Sequence, residues 1–178
     1  MSNHLFDQIK ARMPGSECRF ITLEDGRSIT YGAVMAGSAQ LAHVLTVIGV
    51  KPGDRVAVQV EKSAEAILLY LACLRAGAIF LPLNTAYTTA ELAYFLGDAK
   101  PSLVICDPAR REAIAGIAGD ACLETLDASG AGSLMQSAAG QSAVFTYSFF
   151  SVKQKLLILC LLFELKLHLL HLNLLSFL

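Results

Sequence analysis

Tryptophan is absent, proline is scarce and charge is thin, with 5 prolines and 16% charged residues in a chain of 178. Each shortage excludes something. A disordered chain is rich in proline and charge, so this composition points to a packed domain of ordinary size. No basic surplus exists, the net charge being −1, and nucleic acid is therefore not an expected partner. The 5 cysteines (Cys18, Cys73, Cys106, Cys122 and Cys160) make no Cys-x-x-Cys pair and no metal spacing. They are expected to be free thiols in a reducing cytoplasm rather than a disulfide frame or a zinc site. Met1 to Arg12 is polar and lacks the apolar run of a secretory leader, so none is expected.

What is present is unevenly spread. All 13 glycines lie between Gly15 and Gly140, the last proline is Pro108 and the last arginine is Arg111. From Tyr147 onward the chain is rich in leucine, and its only charges are Lys153, Lys155, Glu164 and Lys166. We divide the chain accordingly into residues 1–146 and an unrelated leucine-rich tail, residues 147–178. The tail has the composition of AT-rich coding and the first segment that of GC-rich coding. A frameshift, an unspliced intron or an assembly join is the expected origin of the tail. A membrane helix is the rival reading, and it is disfavoured. Leu156–Leu178 has the length of a span, but Glu164, Lys166, His168, His171 and Asn173 fall within it. A charge at mid-span costs about 2.5–3.5 kcal/mol. The His168/His171 pair has a metal-like spacing and no further ligands nearby, so no metal is assigned.

The first segment alternates strand and helix signals. Phe20–Leu23 and Ser28–Thr30 read as two short extended pieces around the turn residues Glu24 to Arg27. Thr30 is placed to cap a helix whose Val34, Ser38, Leu41, Leu45 and Ile48 share a face, and Gly49 to end it. Lys51–Asp54 is a turn and Arg55–Val60 a valine-rich strand. Ser63 caps the next helix, which is apolar throughout from Ala66 to Leu74 and stops at Gly77. Ala78–Leu81 reads as a buried parallel strand, Thr88 or Thr89 as the cap of a helix that Gly97 ends, and Leu103–Cys106 as another buried strand. From Ala109 to Gly140 the pattern fades. This order predicts an α/β fold, a parallel sheet with helices on its faces. The predicted core is Val56, Val58, Val60, Ile67, Leu68, Leu71, Leu74, Ile79, Leu81, Leu92, Leu96, Leu103 and Ile105.

Candidate chemistry is sparse. Ser129-Gly130-Ala131-Gly132-Ser133 is the nearest thing to a phosphate loop, but no Lys-Ser or Lys-Thr pair follows it and no clear strand precedes it; it reads as a surface loop. His4 and His43 stand alone, and His43 is expected on a helix rim rather than as a base. Glu61 and Lys62 follow a strand, where open α/β sheets bind ligands, but read as solvated loop.

Several stretches nevertheless form a set. Ile29-Thr30-Tyr31, Val50-Lys51-Pro52-Gly53-Asp54-Arg55-Val56, Leu74 through Asn84, Glu91-Leu92 through Asp98, and Lys100-Pro101-Ser102-Leu103-Val104-Ile105 run in the order of the AMP-binding, adenylate-forming superfamily, which this segment resembles. Met1–Asp7, Val58–Ala66 and Leu83–Thr88 are similar to bacterial malonyl-CoA synthetases within it. The resemblance implies the N-terminal part of an acyl-CoA synthetase large domain. It implies a reaction in which a malonate-like acid and ATP, with Mg, give an acyl-adenylate that CoA converts to a thioester. In that family the phosphate loop, the magnesium glutamate, the ribose aspartate, the carboxylate-binding arginine and the C-terminal lysine all come later along the chain. None has a matching position here, so no catalytic, cofactor-binding or metal residue is assigned. The chain is expected to be a fragment without activity, and the fragment itself to hold no cofactor. The alternative is a small membrane-associated or interaction protein built on the apolar tail. The segment is also expected to fold poorly alone, with an exposed face on the Ala66–Leu74 helix and open sheet edges.

Overall fold

A computed structural model describes residues 4–23 and 26–146. The tail, with Cys160, His168 and His171, lies outside the described residues.

The chain opens with a helix, α1 (His4–Ala11), in a stretch where the sequence showed only polarity. Phe6 in that stretch is fully buried, its ring 4.5 Å under the Arg75 guanidinium, and Leu5 and Ile9 pack beside it against the core. Strands β1 (Arg19–Thr22) and β2 (Ser28–Thr30) form an antiparallel ribbon. Helix α2 (Tyr31–Ile48) follows at once, with the Thr30 hydroxyl accepting from the Ala33 N–H at 3.2 Å. The four-stranded sheet consists of β3 (Arg55–Gln59), β4 (Ile79–Pro82), β5 (Leu103–Cys106) and β6 (Cys122–Thr125). All three pairings are parallel and the spatial order is β4-β3-β5-β6. Helices α3 (Ala64–Ala76), α4 (Thr89–Ala99), α5 (Arg111–Ala115) and α6 (Ser133–Ala138) complete the fold.

Period-two alternation sorts the strands between two cores. Val56, Val58, Leu103 and Ile105 turn to the side of α1, α2, α3 and α6. Ala57, Val104 and Cys106 turn to the side of α4 and α5, where Leu92, Leu96 and Ile114 meet them. Successive crossovers thus place helices on both faces, as the alternating pattern required.

Local capping chemistry explains the ends of α2, α3 and α4. Ser63 Oγ accepts from the Ala66 N–H, and Thr88 forms a reciprocal capping box with Glu91. Gly49 and Gly77 take the left-handed conformation that ends α2 and α3. Gly97 does not end α4, contrary to expectation. The helix runs to Ala99, and Lys100 adopts the left-handed turn (φ 44°), its N–H reaching the Leu96 carbonyl at 2.9 Å. Pro101 is the reason: it disfavours a helical residue before it and cannot itself donate onward.

The Thr88–Glu91 box carries a testable pH signature. The Thr88 hydroxyl, and secondarily its backbone N–H, hold the Glu91 carboxyl below its usual range. A carboxyl lowered by folding stabilises the fold above its unfolded value and loses that contribution as pH falls through its folded value. Thr88→Ala is expected to cost about 1 kcal/mol at neutral pH and to make Tm fall less steeply on acidification than in the parent. Melts at neutral and acid pH check both points, and an unchanged slope would refute the assignment.

Four predicted core residues are only half-buried: Val60, Ile67, Ile79 and Leu81. Val60 lies just past the end of β3, and Ile79 and Leu81 belong to an edge strand rather than a central one. The fading region from Ala109 to Gly140 contains a full parallel strand, β6, and the short helices α5 and α6. The expected exposed face on α3 is also absent. Leu68, Leu69, Leu71, Ala72, Cys73 and Leu74 are buried, and the residues between Ala66 and Leu74 that are not, Ile67 and Tyr70 among them, are half-buried. The reason is that α2 and α1 pack against α3.

Candidate functional site

The chain leaves β3 through α3 to reach β4 on one side, then crosses back through α4 to β5 on the other. The order in which strands are added therefore switches sides between β3 and β5, and in open α/β sheets ligands bind outside the carboxyl ends of the strands at such a point.

Gln59 and Cys106 end these two strands and lie side by side in register. Gln59 is 1% exposed, and its Nε2 donates to the Asn84 carbonyl at 2.8 Å while its Oε1 meets no partner. The Cys106 thiol is pushed up by burial; Asp107 adds to this, and the Arg111 and Arg110 guanidiniums oppose it. The loop after β4 is gripped from below. Arg110 donates from Nη1 to the Thr85 carbonyl and from Nη2 to the Tyr87 carbonyl, both at 3.1 Å. Asn84 Oδ1 accepts from the Ala86 N–H at 2.9 Å. The Asn84, Thr85 and Tyr87 carbonyls of this loop are thus each engaged by a side chain. Glu61 and Lys62 are exposed at the end of β3, in keeping with a solvated loop.

Gln59 was legible only as one more residue of a valine-rich strand. Its amide is buried because it sits at the strand's last paired position, under the loop that Arg110 holds. Gln59→Met removes an unsatisfied buried carbonyl, and the Asn84 oxygen keeps the Tyr87 N–H as donor. We expect a stability change below about 1.5 kcal/mol. Gln59→Glu, which sets a carboxyl against the Asn84 carbonyl, is expected to cost more. Urea unfolding ranks the two, and the reverse order would contradict this geometry.

The glycine loop lies farther along the same edge. A strand does precede it, contrary to the sequence reading: β6 ends at Thr125, and Leu126 continues the pairing through its N–H to the Cys106 carbonyl. The loop nonetheless offers no phosphate cradle. Asp127 Oδ1 accepts from the Ser129 N–H, the Ser129 hydroxyl and the Ala131 N–H at 2.8, 2.6 and 2.9 Å, and the Asp127 carbonyl takes the Gly130 N–H. The donors that would face an anion are already spent on a carboxylate, which these bonds hold below its usual range. Beside the loop, an open groove of about 670 Å³ runs between the ribbon and the start of α3, lined by Thr22, Leu23, Arg27, Lys62, Glu65 and Ser129 among others.

His43 is half-buried and serves as a clasp. Its Nε2 lies 2.8 Å from the Val144 carbonyl and its ring stands edge-on to Phe145 at 4.8 Å, strapping the segment after α6 along α2. Among the described residues, no three His, Cys, Asp or Glu side chains gather as a metal site, and Cys18, Cys73, Cys106 and Cys122 are free.

A parallel α/β sheet with helices on both faces, its strand order switching sides at β3/β5, belongs to the open α/β class of folds. Within that class the AMP-binding enzyme family matches residues 6–149, and the chain belongs to that family. The ATP-bound MatB of Rhodopseudomonas palustris is 43% identical, with a TM-score of 0.82 over 86% of this chain and 31% of that one. Its apo form is 45% identical, with a TM-score of 0.80 over 83% of this chain and 30% of the other. A feruloyl-CoA synthase from Amycolatopsis sp is 37% identical over 93 residues, 52% of this chain and 19% of that protein. The antimetabolite synthetase AmbB of Pseudomonas aeruginosa is 36% identical over 128 residues, 72% of this chain and 10% of its own length. The chain thus spans about a third or less of each of these proteins.

Proposed function

We propose that the chain is the N-terminal part of an ATP-dependent acid–CoA ligase acting on a malonate-like acid, the reaction passing through an acyl-adenylate, with Mg and CoA as the further reactants. The observation that carries this reading is the likeness to ATP-bound MatB, 43% identical with a TM-score of 0.82 over 86% of this chain. On the same reading the chain alone does not turn over, because the phosphate loop and the later motifs that the resemblance calls for have no matching position in its sequence. The loop from Asp127 to Ala131 does not fit a nucleotide phosphate, its amides being taken by Asp127, and no chemical step is assigned to the described residues. They build the scaffold beside which such a site would stand. Free thiols at Cys18, Cys73, Cys106 and Cys122 agree with a cytoplasmic setting.

Two assays test the proposal. The chain with malonate, ATP and CoA is expected to release no pyrophosphate above a heat-killed control. A chimera carrying residues 6–146 in place of the matching part of R. palustris MatB is expected to fold and to catalyse malonate-dependent ATP–pyrophosphate exchange. A folded chimera without exchange overturns the assignment to this chemistry, and turnover by the chain alone overturns the claim of inactivity.

A further inference from the structure

We draw no further inference here: the strongest candidate, the unpartnered Oε1 of buried Gln59 where the strand order switches sides between β3 and β5, lies outside the groove beside α3, and nothing in the structure shows what donor would meet it.

Discussion

Gly132→Ala is expected to destabilise the fold by roughly 2–4 kcal/mol, the sum of backbone strain and a forced shift of packed atoms. Gly132 stands at the start of α6 with φ at 143°, a conformation side chains rarely adopt. A Cβ there would land on the Thr125 carbonyl oxygen, with the Thr125 carbon and Leu126 Cα close behind. These are backbone atoms of the edge strand, and they cannot swing aside as the end of a side chain could. The contact holds a small polar knot together. The Ser133 N–H donates to Thr125 Oγ1, the Thr125 N–H to Ser133 Oγ, both at 3.0 Å, and the Ser133 hydroxyl donates to Glu124 Oε2. Pushing α6 outward breaks these bonds together. Gly97→Ala provides the control, since a Cβ at that exposed helical glycine meets nothing within 4 Å. Thermal melts should show Gly132→Ala falling by roughly 5–15 °C, at about 2–4 °C per kcal/mol for a chain of this size. Gly97→Ala should hold level or rise. Equal melts for Gly132→Ala and the parent would show that β6 and α6 are not so closely joined.

This knot shows where sequence reasoning reaches its limit. The caps at Thr30, Ser63 and Thr88 were legible because each is local: a hydroxyl meets an N–H three residues on. Strand β3 was legible from its valine-rich alternation, and β5 because it is buried along its length and reads as an unbroken apolar run. Strand β6 was not, because Cys122-Leu123-Glu124-Thr125 is half polar. Its polar side chains are satisfied by Ser133, eight and nine residues away, across a loop whose shape depends on Gly132. The grip of Arg110 on the loop after β4 was hidden for the same reason, since the partners are 23 and 25 residues apart and the acceptors are backbone carbonyls with no sequence signature. The family was legible earlier than the site. Its motifs here are turn and packing motifs, and these fix a scaffold while leaving the chemistry to other parts of the chain.

Leu69→Ala is expected to cost about 2–5 kcal/mol, the usual range for a fully buried leucine, out of a typical total of 5–15 kcal/mol. Leu69 is 0% exposed in the larger core. The prediction separates two accounts of this segment. If α3 kept an open face and the sheet open edges, the segment would be loosely packed, and truncating one leucine would change little. The structure argues otherwise. On β6, the outward Thr125 N–H is taken by Ser133 and the outward Leu123 carbonyl by Arg111 Nη1 at 3.2 Å. On β4, the Ile79 and Leu83 N–H groups turn in to β3, so Phe80 and Pro82 face outward. Pro82 has no N–H to offer, and a single donor at Phe80 is a poor template for another strand. With α3 covered and part of each edge's outward groups taken or missing, the segment should unfold cooperatively. Leu69→Ala should then lower the urea midpoint while leaving the slope of the transition unchanged. A shallow, sloping transition in the parent, or a midpoint indifferent to Leu69→Ala, would favour the loosely packed account.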